Sequence, residues 1–236
     1  MKIMAFEKVK FDCIKTCQIK EYLDSFSFKK STRGASSLEV HFGQTLTYES
    51  LKGKGGKTFG AGRAVEIGDK LYRYNTSTEN CYGARFEERF PELWLECFKA
   101  LQRVTNAKDN ELANLQCNAT KNAGMAPHWD DCSDQFLTFQ PAALTIVIAD
   151  KNDAKFSSFS EHAGNGVPHN EEGANNQHCS SDPCLCEELI GTMISGPHYY
   201  PHKHGPNGPI KENENPRYSL NFRIVRQEVL DLLSNK

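Results

Sequence analysis

The chain has 236 residues, a formal net charge of −2 at pH 7, 38% hydrophobic residues and 25% charged residues. These values are typical of a soluble globular protein with one large domain or two small ones. The chain is long enough to bury a hydrophobic core. No run approaches the about 18 consecutive apolar residues of a membrane helix, and the lysine-broken start lacks the apolar centre of a secretion signal. We therefore expect no membrane contact and an intracellular location, in the nucleus or the cytoplasm.

The nine cysteines are scattered along the chain, and their number is odd. Without a signal peptide, this usage predicts free thiols in a reducing compartment rather than a disulfide framework. Cys13, Cys17, Cys97 and Cys117 have apolar neighbours in the sequence, so we interpret them as small core residues.

The first half of the chain combines two helix patterns with one strand pattern and one basic loop. Apolar spacing predicts a short amphipathic helix over 14–26, and β-branched and aromatic residues predict a strand over 37–51. The glycine- and lysine-rich run 51–63 is interpreted as a loop that either touches a polyanion or is merely solvated, since a local basic patch can act in a near-neutral protein. The clearest helix pattern covers 86–104, with Pro91 near its first turn, where the missing N–H costs least.

The second half of the chain is dominated by short apolar runs typical of strands. We predict four strands, at 112–117, 142–148, 189–194 and 218–225. Helices followed by several spaced strands indicate an α+β protein in which helices pack against a sandwich or barrel.

A long polar segment, 150–186, interrupts the strand-rich half. A run of this length without an apolar pattern is typical of a functional loop or of disorder. Its end, HCSSDPCLC, contains ligand types that zinc takes, at His178, Cys179, Cys184 and Cys186. Their spacing matches no recognised zinc ribbon, so a zinc site and a metal-free loop both stay open.

A candidate metal site begins at the H-x-D pair of His128 and Asp130. In an extended segment these side chains point to the same face, so one ion can contact both. A third, neutral ligand would complete the two-histidine, one-carboxylate set of non-haem iron sites. The later segment GPHYYPHKHGP offers His198, His202 and His204 directly after a strand-like run.

A second candidate site lies on the strand pattern PRYSLNFR, residues 216–223. Arg217 and Arg223 are six positions apart and face the same side, with Ser219 and Asn221 between them on that face. Two inward arginines are costly without an anionic partner, and a small dicarboxylate would satisfy them through paired hydrogen bonds. The alternative is a solvated arginine face on an edge strand.

These motifs resemble, in order and spacing, the AlkB-like family of iron(II)- and 2-oxoglutarate-dependent dioxygenases. The specific parts are HWDD, GTMISGPHYYPHKHGP and PRYSLNFR, within a likeness that extends from about residue 58 to residue 226. The resemblance implies a double-stranded β-helix (jelly-roll) core flanked by helices. It also implies a division into an N-terminal helix and strand extension, 1–57, packed on a catalytic domain, 58–236, that carries the 150–186 insertion.

The resemblance also implies residue roles. His128, Asp130 and His204 would bind iron(II), with His202 and then His198 as alternatives for the third ligand. Two arginines would hold the carboxylates of 2-oxoglutarate, beside polar neighbours on the same strands: Arg217, Arg223, Asn118, Ser219 and Asn221. Tyr74, with Tyr72 beside it, would stack on a flipped base near Asp131, although strand tyrosines more often pack in a core.

The activity implied is oxidative demethylation of alkylated nucleobases in DNA or RNA, as in DNA repair, with iron(II), 2-oxoglutarate and dioxygen. One departure stands out: the family's Asn-x-Tyr is here Asn118-Ala-Thr120, and threonine is much shorter than tyrosine. Two alternatives therefore remain. One is an oxygenase acting on a base carbon-methyl, a protein side chain or a small molecule; the other is an inactive metal- or nucleic-acid-binding module.

Overall fold

The protein is a mixed α+β structure built around one large antiparallel sheet. The computed structural model describes residues 7–30, 38–59, 64–73, 80–121, 138–148, 156–158, 188–195, 202–204 and 216–234. None of the described helices is long and apolar enough to cross a membrane. The strands are β1 (Glu7–Lys15), β2 (Lys29–Lys30), β3 (Leu38–Gly43), β4 (Lys57–Phe59), β5 (Ala64–Ile67), β6 (Lys70–Arg73), β7 (Leu115–Lys121), β8 (Ala142–Ile148), β9 (Phe156–Ser158), β10 (Glu188–Ser195), β11 (His202–His204) and β12 (Tyr218–Ile224). The helices are α1 (Thr16–Asp24), α2 (Tyr48–Lys52), α3 (Arg85–Arg89), α4 (Pro91–Gln102) and α5 (Gln227–Ser234), with a 3-10 helix at Asp109–Asn114.

Seven strands form the large sheet in the order β1-β10-β8-β12-β7-β3-β2. Strand β12 lies at its centre and pairs antiparallel with β7 and β8. Strand β1 forms one edge, while β3 and β2 lie at the other. Residues before position 58 therefore contribute both edges of this sheet, so the expected N-terminal extension shares one sheet with the later part of the chain.

Helices α1, α3 and α4 cover one face of the large sheet and form the main hydrophobic core with it. Trp94 on α4 and Phe86 on α3 both contact Phe222 on β12, at ring-centroid distances of 5.9 and 6.0 Å. Gly43 ends β3 with φ +72°, and a Cβ placed there would lie 2.4 Å from the Leu115 carbonyl oxygen and 2.6 Å from the Trp94 ring. The α4–sheet contact thus depends on glycine at this position.

A second, smaller hydrophobic cluster lies beneath the three-stranded sheet β4-β5-β6. Strand β5 pairs antiparallel with both neighbours, and Val65 and Tyr72 lie opposite each other in the same row. These side chains pack with Leu51 from α2 and Val229 from α5. The cluster joins the C-terminal helix to the small sheet.

The predicted elements are confirmed in type for the helix over 14–26, which is α1, and for the strands around 142–148, 189–194 and 218–225. The strand predicted over 112–117 begins only at residue 115, as β7, because a 3-10 helix precedes it. The long helix predicted over 86–104 is two helices instead, because Phe90 has the non-helical angles φ −133° and ψ 61° before Pro91. The strand predicted over 37–51 ends at residue 43, and Thr47 caps α2 by accepting a hydrogen bond from the Ser50 backbone N–H at 3.2 Å.

The cysteines follow the prediction only in part. Cys97 and Cys117 are fully buried free thiols in the main core, as expected. Cys13 is a half-buried free thiol. Cys17 is disulfide-bonded, so the prediction of a free core thiol is wrong for this residue. It lies off the buried face that α1 presents through residues 16, 19 and 23, which apolar neighbours in the sequence did not reveal.

Candidate functional site

The face of the large sheet opposite the main core is polar. Alternation along β12 sends Leu220 and Phe222 into the core and Ser219, Asn221 and Arg223 to the other side. Register extends this polar set across the neighbouring strands, because directly paired residues share a face. We call this set the polar face; besides the three residues of β12 it comprises Thr145 on β8, Gln116, Asn118 and Thr120 on β7, and Glu39 and His41 on β3.

A chain of hydrogen bonds holds the centre of the polar face. Arg223 Nε donates to Asn221 Oδ1 at 2.9 Å, and Asn221 Nδ2 donates to Thr145 Oγ1 at 3.0 Å. The Arg223 guanidinium also lies over the Phe139 ring, 5.4 Å from its centroid. These contacts fix the Asn221 amide and orient the Arg223 side chain before any ligand arrives.

Arg217 lies immediately before β12 and two positions from Ser219, so the alternation of extended backbone places it on the same face as Ser219. Its side chain is 1% exposed. Strand β12 is central, so the alternative of a solvated arginine face on an edge strand is wrong. Burying a guanidinium is costly unless charge and hydrogen-bonding groups compensate, which makes a buried arginine on a polar face a candidate for binding an anion.

Asn118 lies directly opposite Asn221 in the register of β7 and β12. Its Oδ1 atom is buried and accepts no hydrogen bond from any residue of the described chain. Unsatisfied buried polar atoms are uncommon in folded proteins, and they gather where a ligand or water completes the set. Asn118 therefore belongs with the arginines as a candidate binding residue.

Sequence reasoning missed Thr145 and Gln116, and it also missed the two ionisable residues of the polar face, Glu39 and His41 on β3. They are 1% and 0% exposed, and His41 Nε2 lies 3.4 Å from Glu39 Oε1. In the register, Glu39 lies opposite Thr120 and His41 opposite Asn118. The signal was available, because the strand pattern EVHF alternates ionisable and apolar residues, which places both ionisable groups on one face.

The predicted iron ligands are not brought together by the part of the chain that the structure describes. His128, Asp130 and Asp131 lie outside the described residues. His204 ends β11, where its backbone pairs opposite Phe156 of β9. Within the described ranges no group of three metal-ligating side chains occurs. The iron site stays a prediction, and so does zinc, since Cys179, Cys184 and Cys186 also lie outside the described residues.

Only one of the two tyrosines predicted to stack on a base lies within the described residues. Tyr74 lies outside the described residues, whereas Tyr72 on β6 is 8% exposed and packs in the second cluster. Burial, and then the nearby carboxylates of Asp69 and Glu228, raise the pKa of the Tyr72 phenol above its usual value. These are the surroundings of a packing tyrosine, and its role in substrate binding stays a prediction.

The described part of the glycine- and lysine-rich run lies at the end of α2 and in β4. Lys52 and Lys57 are exposed, and Phe59 at the end of β4 has 44% of its surface accessible. An exposed aromatic ring beside lysines is a combination that single-stranded nucleic acids can use.

The polar face can hold an anionic group through planar donors that are already in position. Among the described residues these are the buried guanidinium of Arg217 and the guanidinium of Arg223, which the Asn221 amide orients. The buried Asn118 Oδ1 is an additional hydrogen-bond acceptor that no described residue satisfies. Neither comparison with known proteins, one against family profiles and one against curated sequences, returned a match.

Proposed function

We propose that the protein is an iron(II)- and 2-oxoglutarate-dependent dioxygenase that removes methyl groups from alkylated nucleobases in DNA or RNA. The observation that carries the proposal is the polar face, on which a buried Arg217 and an oriented Arg223 flank Ser219 and Asn221 on one strand. In this proposal the seven-stranded sheet is the larger half of a double-stranded β-helix, or jelly-roll.

The arginine spacing suits a small dicarboxylate. The Cα atoms of Arg217 and Arg223 are roughly 20 Å apart along an extended strand. Their long side chains can converge from both ends on a short ligand lying above Ser219 and Asn221. Each guanidinium can form a paired hydrogen bond with one carboxylate, which is the recognition that 2-oxoglutarate requires. Asn118, opposite Asn221, is a polar neighbour near the middle of that span.

His128, Asp130 and His204 would hold the iron, with His202 and His198 as alternatives for the third position. When bound with 2-oxoglutarate, ferrous iron supplies the oxidation by dioxygen that converts an N-methyl group to an unstable hydroxymethyl group, which leaves as formaldehyde. The protein's own part is to bind and orient the dicarboxylate with its arginines and to keep the polar face buried from bulk water.

A nucleic acid substrate is supported by exposed residues of α2 and β4. The exposed Lys52, Lys57 and Phe59 offer charge for a phosphate backbone and a ring for a base. The substrate roles of Tyr74, Tyr72 and Asp131 belong to the same proposal. An oxygenase for a base carbon-methyl, a protein side chain or a small molecule would use the same polar face.

One observation favours a second candidate, an inactive metal- or nucleic-acid-binding module. Glu39 is buried in the same row of the sheet as Thr120 and Ser219. A buried carboxylate on the polar face disfavours a second anion there, and Thr120 is too short to replace a tyrosine hydroxyl. Both features would weaken the binding of a dianion.

The deciding experiment incubates iron-loaded protein with 2-oxoglutarate and methylated DNA and RNA oligonucleotides. We expect demethylated product, formaldehyde and succinate in equal amounts, and none of these from the His128→Ala variant. Mass spectrometry separates the alternatives, because hydroxylation at carbon leaves a stable alcohol and releases no formaldehyde. Nucleic-acid binding with no visible absorption band on anaerobic titration with iron(II) and 2-oxoglutarate would instead establish the inactive module.

A further inference from the structure

A groove on the helix-covered side of the molecule is separate from the polar face. It lies between the C-terminal end of α1 and helix α3 and has a volume of about 560 Å³. Its aromatic lining is Tyr22, Phe26 and Tyr82, and its charged lining is Arg85, Glu88 and Arg89. Because α1 and α3 pack on the core face, the whole thickness of the large sheet separates the groove from Arg217 and Arg223.

The floor of the groove is a rigid set of aromatic rings. Phe26 lies 4.9 Å from both Tyr22 and Tyr82, edge to face in each case. The Tyr22 hydroxyl donates to the Arg85 backbone carbonyl at 2.8 Å, and the Tyr82 backbone N–H donates to the His41 carbonyl at 2.8 Å. The three rings are half-buried, so part of each still faces the groove. A planar ligand would meet preformed apolar surface here.

The rim of the groove carries two exposed guanidinium groups. Arg85 lies 5.6 Å from the centroid of the Tyr82 ring, and Arg89 lies 5.0 Å from that of Phe90. Within the described residues neither arginine forms an ion pair with a carboxylate, including the neighbouring Glu88. Two guanidiniums held on rings and left without a carboxylate are suited to the oxygens of a phosphate.

We infer that this groove binds one nucleotide step of a single-stranded nucleic acid. The base packs against the exposed parts of Phe26 and Tyr82, and the phosphate accepts hydrogen bonds from Arg85 and Arg89. The combination of aromatic floor and guanidinium rim distinguishes this ligand from an acidic peptide, which has no planar base to place on the rings. Glu88, between the arginines, also disfavours a run of several carboxylates. The inference concerns binding alone and does not require the proposed demethylation.

The first test compares two double variants of the full chain that lose the same charge. Arg85→Gln/Arg89→Gln removes the rim, whereas Lys99→Gln/Arg103→Gln removes two cations from the exposed side and C-terminal end of α4. Binding of a short fluorescein-labelled oligothymidylate is followed by anisotropy over a range of salt concentrations. We expect the rim variant to bind about tenfold more weakly at low salt. Because the groove takes one phosphate, the slope of log affinity against log salt should fall in magnitude by about 0.7, while the α4 variant changes far less.

The second test locates the contact. A single strand carrying 5-iodouracil is irradiated with the protein, and we expect cross-links in the peptides that contain Phe26 or Tyr82. An acidic peptide of equal charge serves as the competing ligand. Equal loss of affinity in the two double variants, cross-links confined to other peptides, or tighter binding of the acidic peptide would each overturn the inference. Formaldehyde release is read separately, so failure of the proposed function and failure of this inference are distinguishable.

Discussion

Replacing Arg223 by lysine tests the polar face without removing its charge. The substitution keeps one cation but removes the planar guanidinium, whose Nε donates to Asn221 at 2.9 Å. It also removes the group that lies over the Phe139 ring at 5.4 Å. Lysine offers a point charge on a flexible stem, so it cannot form the same paired hydrogen bond with a carboxylate.

The expected magnitudes differ for stability and for binding. One part-buried hydrogen bond contributes about 1 kcal/mol to the free energy of unfolding, and the cation–ring contact adds about 0.5 kcal/mol. A charge-assisted hydrogen bond to a carboxylate is worth about 1.5–3 kcal/mol. Since about 1.4 kcal/mol corresponds to a tenfold change, Arg223→Lys should weaken 2-oxoglutarate binding about 10- to 100-fold while the protein stays folded.

The assay is isothermal titration of 2-oxoglutarate into protein loaded with manganese(II), with unfolding in urea measured in parallel. Arg226→Lys is the matched control, because Arg226 is also half-buried and its Nε donates to the Phe139 carbonyl at 2.7 Å, but it lies beyond the end of β12. We expect it to lose stability and to keep its affinity for 2-oxoglutarate. Unchanged affinity in Arg223→Lys, or an equal loss in the control, would refute the assignment of Arg223 to the dicarboxylate.

Three further predictions concern the frame around the site. Gly43→Ala should lower the free energy of unfolding in urea by about 2–4 kcal/mol, because at φ +72° its new Cβ would lie 2.4 Å from a backbone carbonyl oxygen. Gly55→Ala is the control: Gly55 has a similar φ of +76° but no atom within 4 Å of the added Cβ, so the loss should be only about 1 kcal/mol. Tyr218→Phe removes a hydrogen bond of 2.5 Å to Asp24 and should cost about 1.5 kcal/mol. Burial and that hydrogen bond raise the pKa of the Tyr218 phenol, so the hydrogen bond contributes its full stability below the unfolded pKa of about 10. The difference in free energy of unfolding between the wild type and Tyr218→Phe should therefore shrink as the pH rises above that value. A difference that stays constant with pH would contradict this account. Burial and the nearby Glu96 carboxylate raise the pKa of the Cys13 thiol from 9.0 to about 11. At pH 8, iodoacetamide should therefore modify Cys13 about a hundredfold more slowly in the folded than in the unfolded chain. Equal modification rates, measured by peptide mass spectrometry, would show that the thiol is not protected in this way.

Much of the polar face follows from local sequence. Strand alternation is a property of extended backbone, so PRYSLNFR already places Arg217, Ser219, Asn221 and Arg223 on one side. The same rule applied to EVHF would have identified Glu39 and His41. Which residues of different strands become neighbours depends on register and strand order, and these are set by pairings between segments about 70 to 110 residues apart.

Local pattern alone misjudged the elements whose ends depend on a few backbone angles. The 86–104 helix pattern is continuous in apolar spacing, yet Pro91 breaks it at Phe90, because the residue before a proline is driven out of the helical region. The local sequence left open whether Tyr72 stacks on a base or packs in a core. Its side chain packs with Leu51 from α2 and Val229 from α5, and the stacking role stays a prediction. Burial is a property of the assembled fold.

By itself, the sequence determined the α+β class, the strand patterns at 142–148, 189–194 and 218–225, and the shared face of Arg217 and Arg223, because periodicity and alternation act over neighbouring residues. Only the tertiary structure decided that β12 is central, that Arg217 is buried, that Glu39 and His41 join the same face, and that a groove opens between α1 and α3. Each of these depends on contacts between segments far apart in the chain, and such contacts are selected by the packing of the whole core rather than by any one segment.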